Sequence, residues 1–305
     1  MSNIAVLIPC YNESKTIAKV ISDFKVKLPE ADIYVYDNNS KDNTAEIALS
    51  SGAIVRYEER QGKGNVVRRM FSDIDADCYI LVDGDDTYSV DSVREMCNYI
   101  LNDYFDMVVG DRLSSTYFEE NKRPFHDSGN RLVRYFINKI FHSDIKDVMT
   151  GYRALSRYMI LNVPLLSEGF EIETEMTIKA LDANMRIKQI PIFYSDRPLG
   201  SESKLNTFSD GYRILKTILK LFRDYQPLRF FSLIAGILIV ISSGFLLPIL
   251  IEYLQIGLVP RYPTLIVCGF VILFAMMLWV CGLVLEVMLS RHRQLIKLLY
   301  KRKEM

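Results

Sequence analysis

The sequence predicts an α/β fold, a mostly parallel sheet flanked by helices over residues 1–205, followed by two membrane-crossing helices. Three observations predict it. Short apolar runs alternate with helical stretches through the first 110 residues, polar clusters follow three of those runs, and two long uncharged runs lie beyond residue 229.

Strands are expected at Ile4–Ile8, Ile33–Asp37, Ile54–Tyr57, Tyr79–Asp83 and Met107–Gly110. Helices are expected over Glu13–Lys27, Asp42–Ser50, Gly64–Ile74 and Val90–Asn102. Each connection is short, so successive strands must cross over in the same hand and run parallel. Ligands of such sheets bind beyond the carboxyl ends of the strands. Polar residues collect there: Pro9-Cys10-Tyr11-Asn12-Glu13, Asp37-Asn38-Asn39-Ser40 and Asp83-Gly84-Asp85-Asp86.

The second part reads differently. Phe230–Ile251 is 22 residues without a charge, about 33 Å as a helix and enough for a bilayer core of about 30 Å. Tyr262–Leu285 is a second uncharged run, of 24 residues. A two-helix transmembrane hairpin is therefore expected over 229–290. The connection Glu252–Arg261 holds one Arg, whereas six basic residues follow from Arg291, in a tail over 291–305. The positive-inside rule then predicts a multi-pass cell-membrane protein with the first 205 residues and both termini cytoplasmic. The start, MSNIAVLIPCYNE, shows no signal-peptide pattern, which agrees with that orientation. Across 206–228, Ile214, Leu215, Ile218, Leu219 and Phe222 interleave with Arg213, Lys216, Lys220 and Arg223. That spacing predicts an interfacial amphipathic helix, with packing on the α/β domain as the alternative.

Composition narrows the function. The 305 residues are 50% apolar and 24% charged, with 37 Lys+Arg against 37 Asp+Glu. A neutral chain lacks the basic excess of a nucleic-acid binder. The balance divides into a net −7 over residues 1–200 and +7 over 201–305. The five cysteines follow no metal-knuckle or redox-pair spacing. No G-x-G-x-x-G or G-x-x-x-x-G-K-[ST] follows a strand, which counts against dinucleotide and P-loop enzymes. The D-x-D of Asp83 and Asp85 is the stronger pointer. Two carboxylates at a strand end repel unless a hard cation such as Mg²⁺ or Mn²⁺ joins them, and Mg²⁺ commonly completes its shell with substrate phosphates. The alternative is an ordinary acidic turn.

Taken in order, VLIPCYNE (6–13), VYDNNSKDNT (35–44), QGKGN (61–65) and LVDGDDTY (81–88) resemble a family 2 glycosyltransferase of GT-A fold. The stretches VVGDR (108–112), GNR (129–131), DVMTGYRAL (147–155), GFEIETEM (169–176) and YSDRPLGSESKL (194–205) are similar to its polyprenyl-phosphate branch. That branch includes dolichyl-phosphate mannose synthase and bacterial undecaprenyl-phosphate sugar synthases.

The resemblance implies a nucleotide-sugar pocket formed by Pro9, Tyr11, Glu13, Asp37, Lys63, Gly64, Asp83, Gly84, Asp85 and Glu175. It makes Asp83 and Asp85 the metal ligands, holding Mg²⁺ or Mn²⁺. Thr87 stands where relatives carry Gln, leaving a third protein ligand open. Asp37 could instead cap a turn, Lys63 could be a solvated loop lysine, and Glu173 could serve in the sugar site or simply favour a helix start. Asp147, Gly151 and Arg153 match a stretch implied to shape the sugar site. His126 and His142 lack partners at ligand spacing.

The implied acceptor is polyisoprenyl phosphate, largely dianionic at neutral pH. Such a nucleophile needs cationic positioning more than a strong base. Arg112, Arg123 and Arg131 are the expected phosphate clamps, joined near the membrane by Arg197, Ser203 and Lys204. Asp83, Asp85, Arg112 and Arg131 are then the catalytic candidates. The implied reaction is inverting transfer of one sugar, from UDP-glucose or UDP-N-acetylglucosamine ahead of GDP-mannose, by a membrane-bound homo-oligomer, tetrameric by resemblance. The alternatives are a transferase to a glycolipid hydroxyl and an inactive membrane tether. The processive Q-x-x-R-W pattern is absent, and the single Trp279 lies in the second span.

Overall fold

The computed structural model describes residues 3–114, 124–195, 219–220 and 222–301, with backbone alone for 124–130 and 296–301. The chain divides into two compact units, one up to residue 207 and one from 208 onward.

In the first unit the strands are β1 (Ile4–Cys10), β2 (Asp32–Asp37), β3 (Ile54–Tyr57), β4 (Cys78–Leu81), β5 (Met107–Asp111), β6 (Arg153–Ser156) and β7 (Ile187–Pro191). They form one sheet in the order β3-β2-β1-β4-β6-β5-β7. β6 runs antiparallel to both neighbours, and all other pairs are parallel. The helices are α1 (Ile17–Lys27), α2 (Thr44–Ser50), α3 (Lys63–Asp73), α4 (Val93–Leu101), α5 (Pro124–Phe141), α6 (Arg157–Asn162) and α7 (Ile172–Asp182).

Alternate β1 residues build two cores, because successive strand side chains point to opposite faces. Val6 and Ile8 pack with Phe24 of α1 and Met96 of α4 on one face. Ala5 and Leu7 pack with Met70 of α3 and Met176 of α7 on the other. The central strands are buried on both faces, which is why they read as continuous apolar runs.

Several predicted boundaries move by one to four residues: β1 runs on to Cys10, α2 begins at Thr44, α4 spans Val93–Leu101, and β4 and α1 shift for identifiable reasons. β4 ends at Leu81 rather than Asp83, since its register with β1 closes at Leu7–Leu81 and the chain then turns away. α1 begins at Ile17 rather than Glu13, because Thr16 and Ile17 donate their amides to the Glu13 carbonyl in a preceding turn. β6 and β7 are additional strands that the sequence pattern left unassigned.

The second unit contains α8 (Pro227–Ile256) and α9 (Tyr262–Lys301), both long and apolar enough to cross a membrane. Ala235, Ser242 and Ile249 are buried on α8, and Cys268, Ala275 and Gly282 on α9. Each set repeats at seven residues, the spacing of a helix–helix seam. Small residues let the backbones approach, and Ser242 Oγ donates to the Cys268 carbonyl at 3.0 Å. At the other end of α8, Glu286 accepts the Leu228 amide at 3.4 Å, occupying one of the unpaired donors of the helix start. Glu252 and Arg261 bridge the connection at 2.9 Å. Of the expected interfacial helix, 206–218 and 221 lie outside the described residues; 219–220 and 222–225 are helical. Tail residues 302–305 also lie outside them.

Candidate active site

Three loops at the carboxyl edge begin the site. Asn12, Asn39 and Asp86 take left-handed conformations, with φ of 56°, 62° and 58°, turning the chain sharply just past β1, β2 and β4. Non-glycine residues at positive φ cluster at functional edges, and Asn and Asp tolerate the conformation best. The first two loops interlock. The Asn12 amide donates to Ser40 Oγ at 2.9 Å, and Asn12 Oδ1 accepts the Lys41 amide at 2.7 Å. Asn38 then ties them to the segment before α3. Its Nδ2 donates to the carbonyls of Glu58 and Arg60, and its Oδ1 accepts the Gly62 amide at 2.7 Å.

Asp37 is 5% exposed. Its Oδ2 accepts the Ser40 amide at 3.0 Å, while Oδ1 is buried with no hydrogen-bond partner among the described residues. A buried carboxylate oxygen without a donor is costly, so it marks a place where a ligand N–H or O–H fits. The turn-cap role and a ligand role therefore use different oxygens of the same side chain.

The Asp83–Tyr88 loop sits over β1. A Cβ on Gly84 would lie 2.8 Å from Cys10 Sγ, so only glycine lets the loop close down here. The Gly84 carbonyl accepts Thr16 Oγ1 at 2.6 Å. Burial pushes the Cys10 thiol well up, and Glu13, Asp37, Asp83 and Asp85 push it the same way. Asp85 is 5% exposed and accepts the Thr87 hydroxyl at 2.7 Å. Thr87 thus supports Asp85 where a Gln in relatives was expected to serve as a further ligand.

Lys63 opens α3 and is no solvated loop lysine. Its side chain is 7% exposed, and Nζ donates to Asp83 Oδ1 and, at 2.5 Å, to Glu173 Oε1. Burial opposes the charge on Lys63, but Asp83 and Glu173 outweigh it and hold the ammonium above the ordinary lysine range. Burial raises Glu173 in turn, with Lys63 opposing. Gly64 packs so closely on Ser167 and Glu168 that a Cβ would lie 2.8 Å from the Glu168 carbonyl carbon.

Glu175 lies elsewhere. It accepts the Leu166 and Ser167 amides at 3.0 and 2.8 Å and pairs with Lys179 at 2.8 Å, so it braces the loop before α7. The structure brings Glu173, and not Glu175, to Lys63.

The loop ahead of β6 closes the other side. A Cβ on Gly151 would collide with the Asp83 carboxylate, 2.9 Å from its Cγ. The Gly151 amide donates to Tyr88 Oη at 3.0 Å. Arg112 forms a two-point pair with Asp147, at 2.7 and 3.2 Å, and reaches Tyr88 Oη at 3.5 Å. Arg153 is fully buried, donating to the carbonyls of Val148 and Thr150 and to Thr177 Oγ1. Burial lowers its guanidinium to about 10. Asp147, Gly151 and Arg153 thus fix the wall against Asp83. Arg131 is exposed on α5. Arg123, Arg197, Ser203 and Lys204 lie outside the described residues.

Among the described residues, no three His, Cys, Asp or Glu side chains converge as a complete metal cage. Asp83 and Asp85 suit a hard cation whose remaining ligands are phosphate oxygens and water. The Lys63 ammonium already places one positive charge on Asp83.

Sequence reasoning missed Asn38 and Tyr88. Asn38 was hidden inside a polar turn, and Tyr88 reads as an ordinary core aromatic. Its ring packs on Tyr152 and Tyr194 while its hydroxyl serves the site.

Residues 5–162 match glycosyl transferase family 2. Protein RfbJ of Shigella flexneri is 62% identical over 110 residues, covering 36% of this chain and 85% of that protein. Glycosyltransferase AglJ of Haloferax volcanii is 31% identical over 295 residues, covering 96% of each chain. A dolichyl-phosphate hexose transferase of the same organism is 29% identical, over 72% of this chain and 93% of its own. Glucosyl-3-phosphoglycerate synthase of Mycobacterium tuberculosis shares the fold, with a TM-score of 0.57 and 20% identity over 72% of this chain and 80% of that one.

Proposed function

The chain belongs to glycosyl transferase family 2, and on that premise we propose that it transfers one sugar from a UDP-sugar to a polyisoprenyl phosphate. One observation carries the nucleotide assignment: the single unpartnered oxygen of buried Asp37. Uracil presents one ring N–H between two carbonyls and suits one acceptor. Guanine presents two adjacent donors and would use both carboxylate oxygens, one of which already accepts the Ser40 amide and so suits it less well. UDP-glucose or UDP-N-acetylglucosamine thus stands ahead of GDP-mannose as donor.

The acceptor assignment is supported by the likeness to a dolichyl-phosphate hexose transferase and by this chain's own membrane-length helices. Asp83 and Asp85 would hold Mg²⁺ or Mn²⁺, which when bound supplies charge neutralisation at the departing nucleoside diphosphate. Pro9, Tyr11, Glu13 and Gly64 would line the donor side, and Lys63 adds a cation there. Gly151 and Tyr88 hold Asp83 and its loop in register. A phosphate dianion needs no strong base, so the chain's task is to orient it for attack on the anomeric carbon, with inversion. Arg131, Arg123, Arg197, Ser203 and Lys204 are the proposed acceptor contacts. Arg112, clasped by Asp147 and 3.5 Å from Tyr88 Oη, is a further proposed contact. The first unit and both termini lie on the cytoplasmic face in this reading.

The test is turnover by purified full-length protein in detergent with undecaprenyl phosphate, Mn²⁺ or Mg²⁺ and a panel of nucleotide sugars. A lipid-linked sugar from a UDP-sugar is expected. Product from GDP-mannose alone would overturn the nucleotide assignment, and no product from any donor would overturn the reaction.

A further inference from the structure

We propose that Lys63 holds the place of the cation at Asp83, so that the metal site binds a divalent ion tightly only in company with a nucleoside diphosphate. The proposal rests on the donor-site reading above.

Lys63 directs two of its three ammonium donors onto Asp83 Oδ1 and Glu173 Oε1. The side chain is fenced in. Lys63 is the first residue of α3, the next residue is packed against the Ser167–Glu168 backbone, and the Phe170 ring lies 5.9 Å from Nζ. The other Asp83 oxygen abuts Gly151. A bare dication approaching Asp83, whose side chain is 26% exposed, therefore competes with a buried ammonium already on that carboxylate.

A diphosphate changes the balance. It brings negative charge that offsets both cations and offers the third Lys63 donor an acceptor. Glu173 keeps its hold on the ammonium, so Lys63 can ease off Asp83 without becoming an unpaired buried charge. The free protein is thereby spared an idle metal ion, and metal and nucleotide tighten each other's binding by the same factor.

The test measures Mn²⁺ binding to full-length protein in detergent by loss of the aqueous Mn²⁺ EPR signal, with and without UDP. Wild type is expected to bind Mn²⁺ alone weakly and at least tenfold more tightly with UDP. The charge-conserving double variant K63M/E173Q is expected to bind Mn²⁺ alone at least tenfold more tightly than wild type. Because it removes one charge of each sign, a gain reports the freed Asp83 and not a change in net charge. E173Q alone, which leaves Lys63 on Asp83, is expected to stay weak. If that variant fails its thermal-melt check, the equally charge-conserving K63Q/E173Q replaces it. Equal Mn²⁺ affinity in wild type and the Lys63 variants without UDP, alongside UDP-assisted binding in wild type, overturns the proposal and leaves the donor site standing. No Mn²⁺ binding by wild type even with UDP overturns the donor site and the proposal together.

Discussion

The two units of this chain bury opposite chemistries. The first hides Val6, Leu7, Ile8 and Ile80 in its sheet and gathers carboxylates, Lys63 and Arg112 at one edge. The second exposes Leu233, Ile237, Val240, Phe245 and Phe270 and buries Ala235, Ser242, Ala275 and Gly282. In water, apolar burial drives folding and any large side chain can take part. In lipid that drive is absent between helices, so close backbone approach and a hydrogen bond such as Ser242 to Cys268 hold the pair. A small residue therefore means different things in the two units: at Gly151 it makes room for the Asp83 carboxylate, and at Gly282 for a neighbouring helix.

Substitutions at these positions sharpen the contrast. Asp83→Asn should have the largest effect, lowering kcat at least ~10³-fold, about 4 kcal/mol, because it removes one of the two carboxylates proposed to hold the metal. Retention of a tenth of wild-type turnover would sink its assignment. Gly151→Ala should cost ~10²-fold in kcat, about 2.7 kcal/mol, by pushing Asp83 out of line. Unchanged turnover there would mean the wall yields.

In the second unit, Gly282→Leu would drive a side chain into Phe231, whose Cβ would lie 2.8 Å from a new Cβ. About 2 kcal/mol of hairpin stability should be lost. The lone Trp279 lies on α9, so its emission during denaturation in detergent reports the hairpin alone. No shift in that transition would argue against the seam.

The smallest effect concerns Glu175. Burial raises its carboxyl, but hydrogen bonds from Lys179, Ser167 and Leu166 prevail and hold it below the ordinary value. A depressed folded value stabilises the protein above the unfolded pKa, and that contribution fades as pH falls through the folded one. Glu175→Gln should cost about 1 kcal/mol at pH 6 and less at pH 3. Thermal midpoints across that range check it; a cost that grew on acidification would have the wrong sign.

Much of the fold was legible because β1 to β5 are apolar runs bounded by polar turns. β6 was not, since it is four residues long and opens on Arg153, a residue that reads as surface and is in fact fully buried. Its charge is tolerated because two carbonyls and Thr177 surround it. The D-x-D position was legible from a strand running into a pair of acids. The choice between Glu173 and Glu175 was not. Residues two apart on a helix face different ways, so one meets Lys63 and the other meets the loop at 166–167.

The sequence by itself determined the alternation of strands and helices, two membrane-length helices, and acids at the carboxyl edge, since periodicity and hydrophobicity are local properties. Only the tertiary structure decided that Lys63 meets Glu173 across 110 residues, that Thr87 is committed to Asp85, and that Arg112 is clasped by Asp147. Those pairings are long-range or side-chain-specific. A buried charge takes whichever partner the folded backbone brings within reach, and no local pattern records that choice.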